Sequence, residues 1–108
     1  MVGIEGWVTT NTSGQNAIEE HMKMPSMPEH MLDGATVRLL SRDGDRVLSV
    51  SHLTRGAFVL VHIGPYENHE AYLIEVQHPA LRERVSIPIQ LKRMDTVYVI
   101  VTVATVPR

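Results

Sequence analysis

The chain has 108 residues, enough for one domain with a single modest core. Hydrophobic residues make up 44%, charged residues 20%, and the formal net charge is -2, a balance that excludes a dedicated nucleic-acid or anionic-membrane surface. There is no cysteine, so disulfide scaffolds, thiolate zinc sites, iron–sulfur clusters and cysteine nucleophiles fall away together.

The opening residues, Met1-Val2-Gly3-Ile4-Glu5-Gly6-Trp7, carry no basic region followed by a continuous apolar one, and no segment approaches a membrane span of about 20 apolar residues. The expectation is a soluble protein with no signal peptide and no direct membrane insertion. Residues 4–8 read as a first strand. Residues 9–33 then form a long polar connection, expected as a loop inserted between strands 1 and 2. Connections of this length in a compact domain are commonly functional or disordered. Within it, residues 17–24 hold at most a helical turn or two before Pro25.

From Ala35 onward the apolar pattern has period two. Val37 and Leu39 alternate with Thr36 and Arg38, and Leu48 and Val50 with Ser49 and Ser51. The same alternation runs through Tyr72, Ile74 and Val76, and through Val85, Ile87, Ile89 and Leu91. Each run places one set of side chains on a core face and the other in solvent. Residues 57–63 and 97–103 are apolar on both faces and read as central strands. Arg42-Asp43-Gly44-Asp45 is a hairpin turn signal, because Gly44 adopts positive φ without a Cβ penalty. Residues 54–56, 64–70 and 78–83 supply further connections. Pro88 places its strand at a sheet edge, where a missing N–H breaks no ladder bond. About seven strands at this spacing predict an all-β, antiparallel two-sheet sandwich spanning residues 1–108 as one domain.

The run "GATVRLLSRDGDRVLSVSHLTRGAFVLVHI", followed by "AYLIEVQHPALRERVSIPIQL", resembles the carboxypeptidase-regulatory-like, or prealbumin-like (transthyretin-like), β-sandwich family. That family includes the β-sandwich subunit of the endoplasmic-reticulum membrane complex. The matching positions are Gly34, Ala35, Val37, Asp43, Gly44, Thr54, Gly56, Phe58, Tyr72, Ile74, Val76 and Pro79. The resemblance implies a Greek-key, prealbumin-like or immunoglobulin-like sandwich. Arg55 stands where members often carry an acid, and the connection between the first two strands is longer than theirs.

The stretch "HMKMPSMPEHM", residues 21–31, holds four of the six Met and two of the six His. Thioethers are soft donors that select Cu(I), with imidazole as a compatible partner, so His21, Met22, Met24, Met27, His30 and Met31 form a candidate copper set. The same residues also read as an adaptable contact loop, since Met fills irregular gaps and binds varied surfaces. His62 shares parity with Phe58 and Leu60. His52, His69 and His78 lie at turns or strand ends and read as solvated surface groups, without the ligand spacing of a zinc site. No Ser lies in a nucleophile elbow, and no phosphate-binding Gly-rich loop is present. The β-branched run at residues 97–106 reads as a central strand, or else as one that pairs with another subunit.

These features predict a non-enzymatic interaction module, or a structural subunit of a larger assembly, binding through loops 9–33 and 64–70. Trp7, Met24, Met27 and Tyr66 are the candidate anchors for partner contact. The expected partners are other protein subunits, a second copy of the chain included, and no cofactor is required. The alternative is a Cu(I)-binding protein that uses residues 21–31.

Overall fold

The computed structural model describes residues 2–11, 14–53, 57–62, 70–91 and 96–104. Eight strands build it: β1 (Val2–Asn11), β2 (Ala17–His21), β3 (Thr36–Leu40), β4 (Val47–His52), β5 (Phe58–His62), β6 (Glu70–Gln77), β7 (Val85–Leu91) and β8 (Thr96–Ala104). They form two four-stranded sheets. Sheet A has the order β2-β8-β1-β5, and sheet B the order β4-β3-β6-β7. Every pairing is antiparallel except β1 with β8, which run parallel from Gly3 opposite Thr96 to Asn11 opposite Ala104.

The core lies between the sheets. Sheet A contributes Ile4 and Val8 from β1, Phe58 and Leu60 from β5, and Val99, Val101 and Val103 from β8. Sheet B contributes Val37, Leu39, Tyr72, Ile74, Val76 and Ile89. Each set comes from alternate positions of its strand, as a pleated ladder with one buried face requires. Gly6 occupies the one inward position of β1 where no side chain fits. A Cβ there would stand 1.9 Å from the Val99 carbonyl oxygen.

Three expectations are corrected. There are eight strands rather than seven. The additional one, β2, lies inside the segment expected to be an inserted loop, where a helical turn was the most that local pattern offered. It forms because β8 supplies a ladder for Ala17–His21, with Ile18 packed against the core. Residues 57–63 do not make a central strand, because β5 is an edge of sheet A. The outer N–H groups of that edge are nevertheless occupied: Val59 N donates to Ser51 Oγ at 3.3 Å and Val61 N to Ser49 Oγ at 3.1 Å. Ser49 and Ser51 sit on β4, the facing edge of sheet B, so these bonds form a seam that joins the two sheets along one side.

Other expectations match the structure. β8 is interior to its sheet, paired with β1 from Thr96 to Ala104 and with β2 from Tyr98 to Thr102. Pro88 lies on β7, an edge of sheet B. Gly44 has φ 79° in the β3–β4 hairpin. There, Asp43 Oδ1 accepts from Ser41 Oγ at 2.8 Å and from Asp45 N at 3.2 Å. These bonds hold its carboxyl below the usual aspartate range, the Ser41 hydroxyl being the larger cause. Residues 54–56 and 63–69, including Tyr66 and His69, lie outside the described residues, as does the side chain of His62. Among the described residues, no helix is long and apolar enough to cross a membrane.

Candidate functional site

The segment that follows β2 crosses the outer face of sheet A. It leaves at His21, on the sheet edge formed by β2, and returns to pairing on the far side of β1. There Thr9 bridges Met31, Thr10 N donates to His30 O at 3.2 Å, and Leu32 N donates to Val8 O at 3.0 Å. β8 already occupies the other side of β1, and β5 reaches only as far as Gly6. Residues 30–32 therefore close the stretch of β1 that β5 leaves open. To get there, residues 22–29 must pass over β8 and β1.

Trp7 fixes the crossing. Its neighbours Gly6 and Val8 face the core, so the period of the strand turns Trp7 outward. Its indole N–H donates to Pro25 O at 3.0 Å. The Thr9 hydroxyl, on the same outer face, donates to the His30 carbonyl. The crossing is thus a strap held at its middle and at its far end. Buried indole N–H groups need a partner, and a carbonyl of a segment with no ladder of its own supplies it.

Burial along the strap follows a period of three. Pro25, Pro28 and Met31 are half-buried against the sheet, while the residues between them are exposed. This is the repeat of an extended, proline-punctuated chain, which has three residues per turn and no internal hydrogen bonds. The consequence is a set of large apolar side chains facing water: Met22 is 84% exposed, Met27 64% and Met24 38%. Met24, Met27 and His30 share one phase of the repeat, and the chain bends at residues 29 and 30.

The six candidate copper ligands divide into two groups. His21 is half-buried on the outer face of β2, with Nε2 2.6 Å from Glu19 Oε1. That nitrogen is enclosed, and the carboxylate approaches it out of hydrogen-bond alignment. Met31 is half-buried within the bridge to β1. Met22, Met24, Met27 and His30 remain on the exposed side. Of the four expected partner anchors, Trp7 lies beneath the strap, Met24 and Met27 are on it, and Tyr66 lies outside the described residues. The described residues contain no group of three or more His, Asp or Glu arranged around a common point.

The outer face of sheet B has a different character. Arg38 Nη1 lies 2.9 Å from both Glu75 Oε1 and Gln77 Oε1, which makes a polar cross-strand cluster. His52 is exposed there, with Nδ1 3.2 Å from Thr36 Oγ1. His78 is more engaged than a solvated histidine: Nε2 meets Asp33 O at 2.7 Å while Nδ1 accepts from Ala80 N at 2.9 Å. Those two bonds require the tautomer with its proton on Nε2, and they pin the chain after β6 to the turn before β3.

The Met side chains of the strap were visible in the sequence. The strap's foundation was not, because the donor role of Trp7 depends on a segment eighteen residues away. No protein-family model, curated protein or solved structure matches the chain.

Proposed function

We propose that the protein is a non-enzymatic interaction module, or a structural subunit of a larger assembly, whose contact surface is the Met-bearing strap. The observation that carries this is the exposure of Met22 and Met27, at 84% and 64%, on a segment anchored to Trp7 and β1. An anchored backbone limits the ordering cost of association, and flexible thioethers adapt to a partner's contour. Met22, Met24 and Met27 together give the strap an exposed thioether surface of the kind another subunit can cover. The two-sheet architecture agrees in outline with a prealbumin-like, Greek-key domain of the carboxypeptidase-regulatory-like family, and we propose that assignment on the Asp43-Gly44 turn and the alternating strands.

Size-exclusion chromatography with light scattering, on native extract and on purified chain, tests the proposal. The wild type should travel in a species larger than 12.1 kDa, and Met22→Glu/Met27→Glu should return it to that mass. A wild type that is monomeric in both samples, or a variant that still assembles, would reject the strap as the contact surface.

A Cu(I) site on the same strap is the competing function, favoured by the accessibility of three thioethers within six residues, Met22, Met24 and Met27. It requires thioethers of the strap to converge on one ion. Competition against a chromogenic Cu(I) chelator, under anaerobic reducing conditions, separates the two. Withdrawal of one equivalent by wild type but not by Met24→Leu/Met27→Leu would replace the contact surface with a metal site.

A further inference from the structure

The strap presents its methionines unequally. Among the four that the described residues contain, Met22 is 84% exposed, Met27 64% and Met24 38%, whereas Met31 is half-buried in its bridge to β1. The backbone between them is held at three points. His21 pairs with Tyr98 on β8 just before Met22, and Trp7 binds the Pro25 carbonyl between Met24 and Met27. The His30 carbonyl is bound by Thr9 and Thr10 beyond Met27. The two most exposed sulfurs therefore lie in separate intervals of an anchored segment, while the bridge shelters the third.

The chain contains no cysteine, so no thiol competes with these thioethers for an oxidant. A hydroperoxide converts a thioether to a sulfoxide in one two-electron step. The sulfur lone pair attacks a peroxide oxygen, the O–O bond breaks as the S–O bond forms, and hydrogen peroxide leaves as water. Sulfur is oxidised by two electrons and the peroxide is reduced by two. The product carries a polar sulfoxide where a flexible apolar side chain stood. In a core that change disrupts packing. Met22 and Met27 already face water, so their oxidation leaves the sandwich intact and alters only what the strap offers a partner. A partner packed on sulfur would then have to bury two strong acceptors without donors.

We infer that Met22 and Met27 form a reversible oxidation site, at which a hydroperoxide switches off the contact surface of the strap. The switch rests on the contact role proposed for the strap; the order in which the methionines are oxidised does not. A bound partner shields both sulfurs, so the oxidant acts on the free chain and blocks its association.

The test treats the purified full chain with hydrogen peroxide, quenches it, and maps the products by peptide mass spectrometry. Met22 and Met27 should each gain one oxygen atom before Met24, with Met31 last of the four, and the melting temperature should not change. Fluorescently labelled chain is then returned to native extract, and the size of the labelled species is read by size-exclusion chromatography. Untreated chain should enter a larger species and oxidised chain should remain at monomer size. Methionine sulfoxide reductases for both epimers, with a dithiol as reductant, should restore entry. Met22→Leu/Met27→Leu keeps apolar bulk without sulfur and should associate before and after peroxide alike.

Oxidation of Met31 as fast as Met22, or a lowered melting temperature when only Met22 and Met27 are oxidised, would remove the site. Oxidised wild type that still associates, or a leucine variant that peroxide prevents from associating, would overturn the switch. If the leucine variant associates in neither state, the reductases decide: recovery of the wild type upholds the switch and lack of recovery overturns it. Untreated wild type that enters no larger species would reject the contact role and the switch together, with the mapped order of oxidation left standing.

Discussion

Trp7 donates its indole N–H to the carbonyl of Pro25 at 3.0 Å, and this bond holds the strap against sheet A at mid-span. Trp7→Phe keeps an aromatic ring but removes the donor. The variant should lose about 1 kcal/mol in urea denaturation, the usual net value of one such bond. Hydrogen exchange should report loosening at Thr10 and Leu32, whose N–H groups bond to and from the strap's far end. An unchanged exchange rate at both amides would show that the strap is held without Trp7.

Gly6 and Val99 define the closest approach in sheet A. Their registered pairing brings the Val99 carbonyl oxygen to 1.9 Å from any Cβ built at Gly6. The obstacle is backbone, so a rotamer change cannot relieve it. Gly6→Ala should cost about 3 kcal/mol or more, at the upper end of overpacking penalties, and leave a largely unfolded chain on thermal melting. A melting temperature equal to wild type would contradict the β1–β8 register.

Asp43 sets an acid-side limit on the β3–β4 hairpin. Its carboxyl is held below its ordinary value, first by the Ser41 hydroxyl and then by the Asp45 backbone N–H. A group lowered in the folded state stabilises above its unfolded value and loses that contribution as pH falls through the folded one. Carbon-13 titration of the aspartate carboxyls should place the Asp43 midpoint below the ordinary aspartate range. Ser41→Ala should raise it back toward that range. A midpoint unaffected by Ser41→Ala would mean the hydroxyl is not the cause.

The seam from Ser49 and Ser51 to the N–H groups of Val61 and Val59 protects an edge that would otherwise invite another strand. Val59 and Val61 are themselves exposed, as are Val47 and Val50 on the facing strand. Ser49→Ala/Ser51→Ala should lower stability by about 2 kcal/mol, taking about 1 kcal/mol per lost bond. It should also increase concentration-dependent association over the parent's, read by sedimentation velocity. A variant that associates no more than its parent would show that the exposed valines, not the seam, control that edge.

Much of this architecture was legible in local pattern. Alternation found the four strands of sheet B, Asp43-Gly44 found their first hairpin, and Pro88 found an edge. β2 was hidden because only Ile18 in Ala-Ile-Glu-Glu-His carries an inward apolar signal, while its ladder partner, β8, lies some eighty residues away. β5 looked central because Val59 and Val61 are apolar outward residues, and their edge is closed by serines that read only as polar alternation in β4. The parallel pairing of β1 with β8 leaves no trace in a period-two pattern, since parallel and antiparallel ladders present side chains alike. Of the strap, the Met and Pro residues were visible in advance. Its path over Trp7 was not, because it follows from which edge of β1 remained free.

The most direct test of the strap is site-specific photo-crosslinking in the native cell. A photoreactive amino acid would be placed at Met22 or Met27, and, as controls, at the exposed positions Asp45 in the β3–β4 turn and Gln90 on β7. The account predicts discrete, light-dependent adducts from the two strap positions and none from the controls. Adducts from the control positions alone, or none from either strap position, would contradict it.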